Sequence, residues 1–312
     1  MRVALMIEGQ EGVSWEQWLA LAAAAEEAGI EALFRSDHYL SLDAPTERES
    51  LDAWTTLAGL AARTSRLRLG TMVSPATFRH PSVLAKSAAT VDHISGGRVE
   101  LGLGAGWMEL EHRAYGFDFP PTSERVARFA EQIEIVHRLW TEDSVDFRGR
   151  FYRLEACTAL PKPVQRPRPP IVVGGSARPG TARPAARFAD EYNTVFASPE
   201  EARGRRRRLD AACEAEGRDP ATLPLSVMTG FLIGTDDGEI RERARRLAGD
   251  GADDLLARYR EGGLAGTPAE IVDRLRAYED AGVTRVMLQH LLHDDLEPIE
   301  ILGRDILPAI RG

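Results

Sequence analysis

Short apolar runs alternate with longer amphipathic ones along most of the chain. Eight of the short runs read as strands, at residues 2–7, 31–34, 66–73, 98–102, 170–173, 191–195, 223–229 and 284–289. Helical periodicity fills the intervals between nearly all of them. Alternation of this kind predicts right-handed βαβ units and a parallel sheet.

The helix boundaries carry their own chemistry. Ser14 with Gln17 has the form of a capping box, and Val13 with Trp18 has the spacing of a hydrophobic staple. Ser198-Pro199-Glu200-Glu201 places a cap, a proline at the first helical position and acids in the first turn, and Thr267-Pro268-Ala269-Glu270 repeats that arrangement. Residues 26–34 and 279–287 share one logic: an acidic helix end, Gly29 or Gly282 at a left-handed cap, then a strand. This weak repeat between the second βα unit and the last is what a closed eight-fold barrel would show. The expected fold is therefore α/β, a (β/α)8 TIM barrel with short insertions, spanning 1–312 as one domain. Two segments break the alternation. Residues 145–169 read as a hairpin followed by a Pro-rich, basic connector, and residues 250–266 as an inserted helix or lid.

Composition narrows the partners. A length of 312 residues, 43% of them hydrophobic, suits one large α/β domain. A formal net charge of -9 argues against a general affinity for nucleic acid or anionic membrane. No stretch approaches the roughly 20 apolar residues of a membrane span. The apolar run at the N-terminus is too short for a signal peptide and stops at Glu8. Cys157 and Cys213 match no metal or redox spacing and suggest no disulfide framework. A cytoplasmic protein acting on a small molecule is the expectation.

In a (β/α)8 barrel, ligands bind at the carboxyl ends of the strands, which fixes the loops to inspect. After the first strand come Glu8 and Gln10, a carboxylate and an amide that would contact a substrate or simply form a solvated turn. After the second comes "RSDHYL", where Asp37 precedes His38; an acid beside an imidazole can fix its tautomer and tune its pKa toward neutrality. The alternative is a histidine that only bonds backbone. The third strand runs into Met72-Val73-Ser74-Pro75, on spacing alone a buried strand ending in a turn. After the fourth come Gly104, Ala105, Gly106 and Trp107, whose small residues would let a flat ligand approach the backbone. This is not G-x-G-x-x-G, and a dinucleotide fold is a poor fit. After the fifth come Gly174, Gly175 and Ser176, ahead of a helical run and near Arg178 and Arg183; a strand-to-helix turn of this kind is either an anion nest or a tight turn.

Other conspicuous residues read as structural. Arg205 to Arg208 sit mid-helix beside Glu200, Glu201 and Asp210, which reads as a solvated, ion-paired face. His290, His293, Asp294 and Asp295 could suggest a metal, but no H-x-H near the start and no H-E-x-x-H support one, so none is expected.

Taken together, "RSDHYL", the block from "LGTMVSPATFRHPSV" through "ISGGRVELGLGAGWMELEHRAYGFDFPPTSER", and "PIVVGGS" with "ADEYN" resemble the bacterial-luciferase-like superfamily. The resemblance covers almost the whole chain and is strongest over 30–140. "MIEGQEGVSWEQW" and "FRSDHYLSL" are similar to one subgroup of its deazaflavin-dependent (coenzyme F420) oxidoreductases. The resemblance implies a flavin-type ring at the barrel mouth and a non-prolyl cis peptide at Met72–Val73, followed by Ser74, behind that ring. It implies that Asp37 and His38 border the substrate and that Gly104, Ala105 and Gly106 line the ring. Gly174, Gly175 and Ser176 would hold the phosphate, with Asn193 nearby, and a homodimer is implied too. Trp107 and residues 250–266 would shape the substrate side. The chain departs from sugar-phosphate dehydrogenases of the superfamily, which carry a catalytic Glu in the loop after the fourth strand; Ala105 stands there, with Glu109 nearby but displaced. The expected activity is hydride transfer between the deazaflavin C5 and an organic substrate, with His38 as acid or base. The alternatives are an FMN-dependent monooxygenase or a non-catalytic flavin-binding protein.

Overall fold

The computed structural model describes residues 1–42 and 47–311. Its strands are β1 (Arg2–Ile7), β2 (Ala32–Arg35), β3 (Arg68–Thr71), β4 (Ser74–Pro75), β5 (Val99–Gly104), β6 (Val145–Arg148), β7 (Arg153–Cys157), β8 (Ile171–Gly174), β9 (Glu191–Val195), β10 (Leu225–Ile233), β11 (Leu264–Gly266) and β12 (Val283–Gln289). Strands β1, β2, β3, β5, β8, β9, β10 and β12 pair in parallel in that order, and β12 returns to β1 with Val3 opposite Val286. They form the closed eight-stranded parallel barrel expected of a TIM fold. Every residue of β5 and of β10 is buried, as a parallel strand covered on both faces requires.

The principal helices are α1 (Trp15–Glu27), α2 (Ala53–Ala61), α3 (Pro81–Ser95), α4 (Glu109–Tyr115), α5 (Thr122–Thr141), α6 (Pro179–Phe188), α7 (Pro199–Ala215), α8 (Asp237–Ala248), α9 (Ala252–Gly262) and α10 (Pro268–Asp280). The capping boxes at Ser14, Ser198 and Thr267 are all formed, each with its Gln or Glu three residues on. Gly29 and Gly282 both adopt positive φ, at 73° and 83°, where a side chain would be strained. Among the described residues no helix is long and apolar enough to cross a membrane.

Strand boundaries differ from the expectation in two places. The run 66–73 is not continuous: β3 stops at Thr71, a cis peptide joins Met72 to Val73, and β4 resumes against Leu103 and Gly104 of β5. At this crossing the backbones nearly touch, since a Cβ on Gly102 would lie 1.8 Å from the Thr71 carbonyl oxygen. The run 223–229 instead extends to Ile233, because Phe231–Ile233 gain a partner in β11. Residues 250–266 therefore supply both a helix, α9, and a strand. Helices α8 and α9 close over an apolar cluster of their own that includes Leu232, Ile240, Ala244 and Leu256. The hairpin expected at the start of 145–169 is the antiparallel β6–β7 pair.

The barrel interior is layered. Near the N-terminal ends of the strands, Arg285 of β12 reaches Glu100 of β5 and Glu191 of β9, both at 2.8 Å. Arg68 adds a 2.6 Å contact to Glu100, and Arg2 reaches Glu191 at 3.1 Å. Burial works against the Glu100 carboxylate, but Arg285 and Arg68 outweigh it and hold its pKa at about 2. Glu191 goes the other way: burial dominates, the neighbouring Glu100 adds to it, and its pKa is raised. Above this ionic floor lies a compact apolar layer of Met6, Phe34, Met72, Val172, Met228 and Met287. Ser226 and Asn193 thread this layer on one side, and more polar groups return at the mouth.

Candidate functional site

A cavity of about 1380 Å³ opens at the carboxyl ends of the strands. Small-molecule sites commonly measure roughly 300–1,000 Å³, so this one has room for a large planar guest and a second molecule beside it. Of the residues singled out in the sequence, Glu8, His38, Met72, Val73, Gly104, Ala105, Gly106, Trp107, Gly174, Gly175, Ser176 and Asn193 all line it. They come from six separate βα loops or strand ends.

His38 is fixed from an unexpected direction. Its Nδ1 lies 2.9 Å from Glu111 Oε2 of α4, and the other Glu111 oxygen accepts the backbone N–H groups of Tyr39 and Leu40. Glu111 is fully buried and His38 nearly so, with 14% of its side chain exposed. Burial alone would lower the imidazole pKa; the hydrogen bond and charge of Glu111, with help from Glu8 and Asp37, outweigh it and raise the pKa. The Trp107 ring meets His38 edge-on, with centroids 5.7 Å apart.

Asp37 does not orient His38, which corrects the expectation for that pair. Its Oδ2 accepts from Ser74 Oγ at 2.6 Å and from Arg79 at 2.5 Å, while its Oδ1 is buried without a partner. Arg79 also grips Asp52 at 2.8 Å, so one guanidinium ties the β2, β3 and α2 regions together. Ser74 likewise faces away from the cavity: besides donating to Asp37 it accepts from Trp54 Nε1 at 3.0 Å.

Glu8 and Gln10 split in the same way. Glu8 is 5% exposed and lines the cavity, whereas Gln10 is fully buried behind it. Gln10 donates to Glu8 Oε2 at 2.9 Å and accepts from Ser36 Oγ. Gln289, at the end of β12, donates to Glu8 Oε1 at 2.7 Å.

One wall of the cavity is stripped of side chains around Val73. A Cβ on Gly104 would lie 2.6 Å from Val73 Cγ2, and one on Gly174 3.0 Å from Val73 Cγ1. Beside Gly174 in the β8–β9 ladder, Asn193 donates to Ser226 at 2.9 Å and leaves its Oδ1 buried and unpartnered. In the loop after β8, the Gly175 N–H already donates to the Asn193 carbonyl and the Ala177 N–H to the Tyr192 hydroxyl, so that nest is partly filled from within. Arg178 and Thr181 lie on the cavity beside it, while Arg183 points out to pair with Glu216. Of the arginines read as a solvated, ion-paired face, Arg206 pairs with Asp210 at 2.7 Å, while Arg205 donates to Thr194 and the exposed Arg208 to the Ser176 carbonyl.

Glu111 and His112 escaped the sequence reading. His112 is 1% exposed, bonds Thr77 and the Met108 carbonyl, and borders the cavity. Nothing in the local pattern marks them, because α4 inverts the usual rule: Leu110 is 45% exposed while its neighbour Glu111 is fully buried. At the other side of the mouth, Asp294 and Asp295 pair with Arg246 and Arg243 of α8. His290 bonds the Asp295 carbonyl, and burial pushes its pKa down to about 4, which leaves it neutral. The described residues contain no group of three or more potential metal ligands.

Known proteins share the sequence pattern and the fold. The chain is 30% identical over 322 aligned residues to an FMNH2-dependent dimethylsulfone monooxygenase of Pseudomonas putida, covering 93% of this chain and 86% of that protein. It is also 30% identical to an F420-dependent glucose-6-phosphate dehydrogenase of Intrasporangium calvum, covering 92% of each. Among solved structures, a monooxygenase from Streptomyces bottropensis superposes with a TM-score of 0.83 at 27% identity, over 99% of this chain and 100% of that one. An F420-dependent secondary alcohol dehydrogenase shares the fold with a TM-score of 0.85 at 19% identity, over 100% and 99%. The protein is an enzyme of the oxidoreductase class, and its relatives divide between flavin and deazaflavin cofactors. The family model described as luciferase-like monooxygenase matches residues 1–285, and the chain belongs to that family.

Proposed function

We propose that the protein is a coenzyme F420-dependent oxidoreductase that transfers a hydride between the deazaflavin C5 and a small organic substrate. The observation that carries this reading is His38: a protonatable imidazole, anchored at Nδ1 by a buried carboxylate, on the wall of a cavity large enough for ring and substrate together.

The residues present suit such a ring. Val73, flanked by glycines whose Cβ atoms would collide with it, offers a smooth apolar support. Asn193 Oδ1 is an acceptor without a donor, which an imide N–H on a flavin-type ring would satisfy. Gly104, Ala105 and Gly106 line the wall next to it, and Gly174, Gly175, Ser176 and Arg178 line the corner suited to a phosphate. When bound, the deazaflavin supplies hydride chemistry at its C5.

The protein's part is positioning and proton transfer. With Nδ1 committed to Glu111, Nε2 is the His38 atom left to exchange a proton with a substrate oxygen or nitrogen. Glu111 keeps the imidazole protonated further toward neutral pH than an isolated histidine would be. Trp107, Leu291 and Leu292 make an apolar rim that limits water. Ala105 in place of a carboxylate argues against sugar-phosphate oxidation.

The second reading is an FMN-dependent monooxygenase, favoured by the Pseudomonas putida relative at the same 30% identity as the dehydrogenase. Titrating the purified protein with each cofactor, followed by absorbance and fluorescence, separates the two. Tight deazaflavin binding and reduction is the expected result; tight FMN binding with none for the deazaflavin overturns the proposal and favours the monooxygenase.

A further inference from the structure

Most acids around the cavity mouth face a cationic partner, although Arg178 and Arg258 line it without an ion pair among the described residues. Asp37 and Asp52 share Arg79, Glu111 faces His38, and Glu11 pairs with Arg48. Glu8 is the exception. Among the described residues its two oxygens accept only from the neutral amides of Gln10 and Gln289, at 2.9 and 2.7 Å. Among the described residues no arginine, lysine or histidine nitrogen lies within 4.0 Å of it. The nearby Arg35 guanidinium feels the Glu8 charge but does not bond it: it stacks on Trp18 and donates to the Ser36 and Leu51 carbonyls.

Glu8 is also rigid. Gln10 is fully buried and held by Ser36, and Gln289 is 7% exposed, so the two amides clamp the carboxylate from both sides. A buried carboxylate that only neutral amides touch is costly, and a cationic ligand in direct contact would offset that cost. The arginines that line the cavity, Arg178, Arg246 and Arg258, belong to the loop after β8 and to α8 and α9. Glu8 instead adds to the electrostatic environment of His38.

We infer that Glu8 reads a positive charge on the substrate: the site accepts an organic amine, protonated at neutral pH, in preference to neutral or anionic molecules of the same size. The inference rests on the reading of this cavity as the substrate chamber of an oxidoreductase. It assigns Glu8 a role in specificity, through direct contact with the substrate's ammonium group, and none in the transfer itself.

The test uses the protein loaded with whichever of the two cofactors it binds, and three size-matched probes: benzylammonium, benzyl alcohol and benzoate. Isothermal titration on the wild type should place benzylammonium at least tenfold tighter than the other two. Glu8→Gln, which keeps the shape and most hydrogen bonding, should erase that preference while leaving cofactor affinity within about twofold. Equal or tighter binding of benzoate to the wild type overturns the inference, and so does a preference that survives in Glu8→Gln. A Glu8→Gln protein that loses the cofactor instead makes Glu8 a cofactor ligand, which also overturns it. The ranking on the wild type stands by itself if the variant fails to fold. Failure of the wider reading would look different, as a wild type that binds neither cofactor before any probe is added.

Discussion

Glu111 of α4 and His38 stand 73 residues apart in the chain, yet Glu111 Oε2 lies 2.9 Å from His38 Nδ1 and its other oxygen caps the backbone of the loop that carries the histidine. One buried carboxylate thus fixes both the ring and the chain that presents it. The pair has a definite sign with pH. The folded pKa of His38 lies above its ordinary value near 6.5, so the pair's contribution to stability is complete below that pH and disappears as pH rises through the folded pKa.

Glu111→Gln keeps one acceptor and removes the charge. The His38 titration, followed by its ring-proton NMR shift, should move to lower pH. Any activity that requires the imidazolium should fall off at a correspondingly lower pH than in the wild type.

His38→Ala removes the proton partner without touching the ring wall. Turnover should drop by about 10²–10⁴-fold, while cofactor affinity measured by fluorescence stays near the wild-type value. Unchanged turnover would exclude His38 from proton transfer.

Asn193→Ala removes the unpartnered acceptor at the end of β9. Cofactor binding should weaken by about tenfold, the equivalent of one hydrogen bond of ordinary net strength. Stability toward urea should fall too, by about 1 kcal/mol, because the same truncation removes the buried Nδ2 bond to Ser226.

Gly102→Ala and Gly104→Ala form an internal comparison. The first drives a Cβ to 1.8 Å from a backbone carbonyl, the second to 2.6 Å from a valine methyl that has some freedom to move. Urea unfolding should show Gly104→Ala destabilised by about 1–3 kcal/mol and Gly102→Ala by more.

Much of the fold was legible from local pattern. The eight strand runs, the capping boxes at Ser14, Ser198 and Thr267, and the left-handed glycines 29 and 282 are determined by neighbours within a few residues, so spacing finds them. The glycines after β5 and β8 were visible for the same reason. What escaped depends on contacts between distant loops. Asp37 adjoins His38 in the chain but is claimed by Ser74 and Arg79, and the partner of His38 comes from a helix whose acid faces inward. Gln10 and Ser74 sit at the right places in the sequence with their side chains turned behind the site. The split between β3 and β4 arises where β3 crosses Gly102, which no periodicity records.

The ionic floor is equally invisible, because Arg285, Glu100 and Glu191 come from three strands that meet only when the barrel closes. Arg285→Met should cost about 3–5 kcal/mol in urea unfolding, since two buried acids would lose their shared cation. The Glu100 part of that stability is whole above the ordinary carboxylate pKa near 4.5 and is lost as pH falls toward about 2.

That floor also governs traffic. A barrel sealed beneath by locked charges is a one-ended vessel, so everything that visits it shares a single door at the top. Whichever guest lies deeper must arrive first and depart last, which makes ordered exchange a property of the architecture rather than of any gate.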